Sequence, residues 1–235
     1  MKWPVPLQQG VLIKRYKRFL ADIQTRDGRF LTIHCPNTGS MRNCGEAGST
    51  VWFWDSEDPK RKLPCTWELV DTQPGGLACI NTQRANQVVK EALSAGSIPA
   101  LADYAAVKAE VKYGSQNSRV DFLLTHEGLP DCYVEVKSVT LKENGTGYFP
   151  DAVSSRATRH LQELEEMITA GHRAVLLFAV MHTGIDEVRP AAHIDPAYAA
   201  KLREAIDAGV EVMAWKVSMN TVEVCLAEDV PVLLD

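Results

Sequence analysis

No apolar run in the 235-residue chain approaches the ~20 residues that cross a bilayer. The opening stretch MKWPVPLQQG also lacks a signal peptide's apolar segment. A membrane partner is therefore not expected, and the cytoplasm is the expected location. Paired cysteines are lacking: Cys35, Cys44, Cys65, Cys79, Cys132 and Cys225 are scattered and form no C-x-x-C pair, and no histidine stands at metal-finger spacing from them. That pattern argues against a zinc site and for free buried thiols in a reducing compartment. There is no internal repeat, low-complexity tract or long linker. Positive charge is in deficit as well, with 25 Lys and Arg against 30 Asp and Glu, net −5, which argues against a protein that simply coats nucleic acid. The deficit is uneven, however. Residues 1–90 hold 13 Lys and Arg against 8 Asp and Glu, while residues 91–235 hold 12 against 22. An asymmetry of this kind points to a nucleic-acid-facing first segment.

Hydrophobic periodicity changes near residue 82. Before it lie five strand-like runs, GVLIKRYKRFLADI, FLTIHC, TVWFWD, CTWELV and LACIN, separated by turn residues, which suggests a small barrel over residues 1–81. From 82 to 235, helices and strands alternate. TQRANQVVKEALSAG reads as a helix stopped by Gly96, and strands follow near 107–113, 118–125 and 132–140. In SSRATRHLQELEEMITAG, Ala157, Leu161, Leu164 and Ile168 share one helical stripe. AVLLFAV is a buried strand; Asp195-Pro196 starts another helix, Gly209 stops it, and VEVMAWKV is a last strand. This half is an α/β sheet with a helical crossover.

The chemistry concentrates in RVDF (119–122) and YVEVKS (133–138). A turn about Gly128 makes opposed residue numbers sum to 256, so Asp121 faces Glu135, with Val120, Phe122, Leu124, Val134 and Val136 on the other face. A turn at GSQN (114–117) makes the preceding pair sum to 231, so Glu110 faces Asp121. Two carboxylates ~5 Å apart repel by ~3 kcal/mol at an effective dielectric of 20. A divalent cation relieves that cost, and hard oxygen donors suit Mg²⁺ or Mn²⁺. The expected metal ligands are Asp121, Glu135 and Glu110. Lys137, two residues beyond Glu135, is placed beside a metal-bound water or phosphate, as metal-assisted phosphodiester hydrolysis requires. With 16 Glu and 12 Lys, chance supplies roughly one Glu-x-Lys triplet, and Glu110-Val111-Lys112 is a second one without a preceding strand Asp. The weight therefore rests on the hairpin, its apolar face and the preceding helix together. The alternative is a solvated face neutralised by Arg119 and Lys137.

The combination SRVDF…DCYVEVKS resembles the PD-(D/E)xK nuclease-like core, with Asp121, Glu135 and Lys137 at the motif positions and Val120 where that motif usually has Pro. Such cores often add an acid from the leading helix, which would be Glu91, or from the first strand, Glu110; the register favours Glu110. RYKRFLAD, HCPNTGSM, KRKLPCTWELV, INTQRANQVVKEAL, EVKYG, YVEVKSVTL and GYFPDAVSSRATRHL resemble the bacterial sugar fermentation stimulation protein A family over almost the whole chain. That resemblance implies an N-terminal OB-like barrel, a C-terminal PD-(D/E)xK-type α/β domain with a mixed sheet, DNA binding of low sequence specificity, and a regulatory role in sugar, notably maltose, metabolism. Lys14, Arg15, Lys17 and Arg18 interleave with Tyr16, and Lys60, Arg61 and Lys62 follow, a set suited to holding phosphates and stacking bases. Phe19 is assigned to the barrel core. HCPNTGSM is either a self-bonded turn or a nucleic-acid loop. His160 is an accessory candidate at the site. Asp151 is expected to cap the crossover helix, with a site role as its alternative. Two functions fit: a metal-dependent nuclease, or a DNA-binding regulator with an inert nuclease-like domain.

Overall fold

A computed structural model describes residues 1–72, 75–114 and 118–234. The first half is built from β1 (Gln8–Tyr16), β2 (Leu20–Thr25), β3 (Phe30–His34), β4 (Thr50–Asp55), β5 (Cys65–Asp71) and β6 (Leu77–Cys79), in the order β3-β2-β1-β4-β5-β6. His34 of β3 pairs with Thr66 of β5, which closes a five-stranded barrel. Leu12, Ile23, Ile33, Val51, Phe53 and Trp67 fill its interior. The first expected strand is in fact two. Lys17 and Arg18 form its turn with φ of +49° and +65°, a left-handed conformation that usually draws Gly or Asn, so the sequence carries no turn signal there. Phe19, expected in the core, is 46 % exposed beside that turn.

The second half comprises α1 (Thr82–Ser94), β7 (Ala106–Tyr113), β8 (Ser118–Thr125), β9 (Cys132–Val139), β10 (Leu141–Glu143), β11 (Thr146–Phe149), α2 (Ser155–Thr169), β12 (Arg173–Val180), β13 (Glu187–Pro190), α3 (Pro196–Asp207), β14 (Glu211–Met219) and β15 (Val224–Val230). The main sheet runs β15-β14-β12-β9-β8-β7 and is mixed: β12 lies parallel to β9 and β14, and the remaining pairs are antiparallel. Strand β12 is buried on both faces. Its Val175, Leu177 and Ala179 pack under Val88 and Val89 of α1, whereas Leu176, Phe178 and Val180 pack under Leu161 and Leu164 of α2. Each fully buried aliphatic side chain stabilises by about 1.5–3 kcal/mol relative to exposure, so this strand anchors both layers. The caps follow the sequence at α3, where Asp195 accepts from the Tyr198 N–H. At α2 they do not, since Ser154, and not Asp151, is the cap.

The two halves are stitched together. The Cys79 N–H donates to the Met181 carbonyl and the Thr183 N–H to that of Leu77, both at 2.9 Å. Buried Glu68 of β5 accepts from Trp54 Nε1, from Asn81 Nδ2 and from both Nε and a terminal nitrogen of Arg84 on α1. Residues 1–3 also leave the barrel, because the Trp3 N–H reaches the Val222 carbonyl and the Val224 N–H reaches that of Met1.

Candidate metal centre and nucleic-acid interface

The hairpin register holds, but the row of carboxylates bends. Paired residues of β8 and β9 sum to 256 over Phe122–Leu124, and those of β7 and β8 sum to 231. The β7–β8 ladder skips Glu110 and Asp121, and the β8–β9 ladder ends at the Phe122–Val134 pair. There the strands part, and Asp121 Oδ2 takes the Val136 N–H at 2.7 Å in place of a main-chain partner. Opposite it, Glu110 adopts φ +56°, drops out of the pairing and is exposed. Strand β8 also turns at this point: Val120, expected on one face with Phe122 and Leu124, packs in the cluster under α2 while those two pack under α1. Glu110, opposite Asp121 in β7, has the left-handed φ that takes this position out of the ladder.

This fork forms the floor of a cleft of about 530 Å³. Asp121, Glu135 and Lys137 line it, with Asn86 of α1, Asp151 and Arg156 on the walls and Pro36–Gly39 of the barrel above. Asp121 Oδ1 accepts from Asn86 Nδ2 at 2.6 Å. Glu135, 2 % exposed, accepts through Oε1 from Lys137 Nζ at 2.7 Å and from His160 Nδ1–H. His160 Nε2 accepts from Arg156 Nε at 3.3 Å, and its Nδ1 lies 3.3 Å from Lys137 Nζ as well as against Glu135. The other oxygen of Glu135, Oε2, is buried and has no hydrogen-bond partner among the described residues.

Electrostatics separates the two acids. Burial and the neighbouring Glu135 push the Asp121 carboxyl up to about 6, against the opposing Val136 N–H, Asn86 and Lys137. Burial raises Glu135 too, but the His160 hydrogen bond and the Lys137 charge outweigh it and hold the carboxyl below its ordinary value. Two ionised groups would crowd here without a cation. Because the folded value for Asp121 lies above its ordinary 3.8, the proton it retains stabilises the fold at low pH. That contribution is lost as pH rises through about 6. In chelator, Asp121→Asn should therefore flatten the decline in melting temperature between pH 4 and pH 7, read by calorimetry. With Mn²⁺ present, the metal-dependent rise in melting temperature should grow over the same interval, since the ion must displace that proton.

The donor set fits a hard cation that keeps most of its water. Among the described residues no three His, Cys, Asp or Glu side chains converge to enclose a metal. Asp121 and Glu135 remain, and Mg²⁺ sites are often held by one or two carboxylates with waters completing the shell. Glu110 is not brought to the cleft. Glu91 is not either: it lies on a different stretch of α1 and pairs with the Met1 ammonium at 2.8 Å. The contribution of α1 is instead Asn86, on the helix face it shares with Thr82 and Ala85 at the cleft wall. That one-turn spacing was the available signal. Asp151 Oδ2 holds the barrel loop, accepting from Ser40 Oγ at 2.8 Å and from the Met41 N–H at 3.1 Å.

The basic residues fall into two kinds. Arg15 is structural, donating to the carbonyls of Arg18, Asn37 and Gly39 at 2.9 Å each. Lys14, Lys17 and Arg18 are exposed, although Lys14 pairs with Asp22 at 3.4 Å and lies over the Tyr16 ring. Lys60 and Lys62 are exposed and Arg61 covers the Trp54 ring. His34 pairs with Leu20 on one side and Thr66 on the other, and Arg61 donates to Thr66 Oγ1. Both basic segments therefore meet at one end of the barrel, and Arg15 ties that end to the loop over the cleft. The six cysteines are free, five of them buried and Cys225 exposed.

An N-terminal OB barrel joined through a buried ionic network to an α/β domain with a mixed sheet defines a two-domain class. Residues 13–80 match the family model for the SfsA N-terminal OB domain, and residues 83–223 match that for the sugar fermentation stimulation protein RE domain. The chain belongs to the sugar fermentation stimulation protein family. It is similar along 99 % of its length to 98 % of the chain in a solved structure of Pyrococcus furiosus SfsA in complex with Ca²⁺, at 25 % identity and a TM-score of 0.88.

Proposed function

We propose that the protein binds DNA through the basic end of its barrel and hydrolyses phosphodiesters at Asp121, Glu135 and Lys137. The observation that carries this reading is the buried, unpartnered Glu135 Oε2 beside Asp121 and Lys137 in one cleft. That the Pyrococcus relative was solved in complex with Ca²⁺ supports divalent-ion binding; the hard oxygen donors at Asp121 and Glu135 suit Mg²⁺ or Mn²⁺ as the working ion. Asp121 and Glu135 would hold the ion, which when bound lowers the pKa of its water and offsets charge on the phosphate. Lys137 positions the attacking water and stabilises the negative charge that builds on the phosphate as the water–phosphorus bond forms and the ester bond breaks. His160 fixes Glu135 Oε1, which leaves Oε2 for the ion. Incubating the purified protein with DNA in Mn²⁺, in Mg²⁺ and in chelator tests the reading; fragments should appear only with the ions.

The internal pairing of Lys137 with Glu135 favours a second reading, since it neutralises the site without metal. In it the protein is a DNA-binding regulator of sugar, notably maltose, metabolism, and the α/β domain is a scaffold. Both readings take the cytoplasm as the protein's location. Among the described residues no helix is long and apolar enough to cross a membrane.

Barrel binding makes its own prediction. Replacing Lys14, Lys17 and Arg18 with Gln should weaken the full-length protein for all DNA sequences alike and reduce the salt slope by up to about 3, since each phosphate contact contributes roughly one. Fluorescence anisotropy across a salt series reads this, and an unchanged slope would remove the hairpin from the interface. Arg15 is left out of that set because its loss would loosen the loop over the cleft.

A further inference from the structure

We propose that the cleft accepts one unpaired strand of DNA and excludes the duplex, with Arg156 as its phosphate contact; this rests on the nuclease reading above. The first observation is that the roof belongs to the other domain and is fastened at four points. Asp151 holds Ser40 and Met41, Asn43 Nδ2 donates to the Lys142 carbonyl at 3.0 Å, and Cys44 Sγ reaches the Thr140 carbonyl at 3.7 Å. From the barrel side Arg15 holds the carbonyls of Asn37 and Gly39, and Asn37 Oδ1 takes the Gly39 N–H at 2.8 Å. The Pro36–Gly39 segment is thereby braced from both domains above the carboxylates.

The second observation is size. A cleft of about 530 Å³ has the volume of a site for one small molecule, enough for one or two nucleotides. A duplex is wider than its own ~12 Å major groove and carries a second backbone, so it cannot pass beneath a fixed roof to Glu135 at the floor. Enzymes that act on a base inside a snug pocket likewise work on single strands or extrude a nucleotide from the helix.

The third observation is a cation without an acid. Arg156, exposed in the first turn of α2, lines the cleft, and its Nε donates to His160 Nε2; among the described residues it has no carboxylate partner. Its remaining N–H groups form the planar fork that suits a phosphate. His160 also bonds Glu135, so the guanidinium is held in register with the carboxylate proposed to carry the ion. A strand entering under the roof would have a phosphate placed between Arg156 and that ion.

The test uses the full-length protein and three DNAs of one sequence: a single strand, a blunt duplex, and a duplex with an unpaired tail. In Mn²⁺ the single strand and the tail should be cut at least about tenfold faster than the blunt duplex. The double variant Ser40→Ala/Asp151→Ala, which removes two of the four fastenings and so loosens the roof, should lower that ratio. Arg156→Gln should slow cleavage of every substrate about a hundredfold while keeping the Mn²⁺-dependent rise in melting temperature. A second arm needs no cleavage: in Ca²⁺, Arg156→Gln should weaken single-strand binding about fivefold or more and leave duplex binding unchanged. Strand preference through Arg156 without any cleavage would uphold this proposal and overturn the nuclease reading. Duplex cut as fast as single strand, or indifference of both arms to Arg156→Gln, would overturn the proposal and leave the nuclease standing.

Discussion

Lys137→Ala should lose about a hundredfold in DNA cleavage while keeping its metal, and Asp121→Asn should lose both. The ammonium of Lys137 is not a ligand; it reaches Glu135 Oε1 at 2.7 Å, on the oxygen opposite the unpartnered one. Its removal withdraws a positioned cation from the developing charge, and such groups are often worth ~3 kcal/mol of barrier. Metal binding adds RT ln(1 + [L]/Kd) to stability, so Mn²⁺ should still raise the melting temperature of Lys137→Ala. In Asp121→Asn the carboxylate becomes an amide, the rise should vanish, and cleavage should fall with it. The barrel is untouched in both, so DNA affinity in chelator should equal that of the wild type. Equal cleavage by the wild type and both variants would remove the site from the chemistry and leave the regulator reading.

A comparable effect on stability is expected at the joint between the domains. Glu68 is fully buried and takes four hydrogen bonds, two of them from Arg84. Glu68→Ala leaves the guanidinium, the Trp54 N–H and the Asn81 amide without their acceptor. Breaking a buried pair from one side costs about 3–5 kcal/mol, which for a chain of this size lowers the melting temperature by roughly 6–20 °C. Replacing both partners with Met should recover much of the loss, because desolvating the pair already offsets most of its attraction. A single variant as stable as the wild type, by thermal melts at one pH, would show that the joint does not depend on this network.

What the sequence made legible follows from how locally each feature is encoded. Gly96 and Gly209, both at positive φ, ended their helices as expected, and Asp195 capped α3. The hairpin arithmetic held for Phe122, Leu123 and Leu124, because turn residues fix register across a short ladder, but the ladder ends before the Asp121–Glu135 pair. Glu110 escaped the same arithmetic: the count was right, but one left-handed residue turned its side chain away from the cleft. Nothing in the triplet Ala109-Glu110-Val111 signals that conformation. Asp151 was assigned to the nearest helix, yet its partners Ser40 and Met41 lie more than a hundred positions earlier in the chain. His160 and Asn86 likewise acquire their roles only through contacts between elements, which periodicity does not encode. Arg15 looked like its basic neighbours, and only the three carbonyls around it distinguish a brace from a contact surface.

The central claim is that Asp121 and Glu135 hold one divalent ion at the fork of β8 and β9. Anomalous diffraction from crystals grown with Mn²⁺ measures this directly. The account predicts one strong peak about 2.1–2.3 Å from Glu135 Oε2 and within bonding distance of an Asp121 oxygen, with waters completing the shell. A fully buried carboxylate elsewhere, Glu163 of α2, also has both oxygens without partners among the described residues and provides a built-in control. An empty fork, or a peak at Glu163 with none between Asp121 and Glu135, would contradict the account.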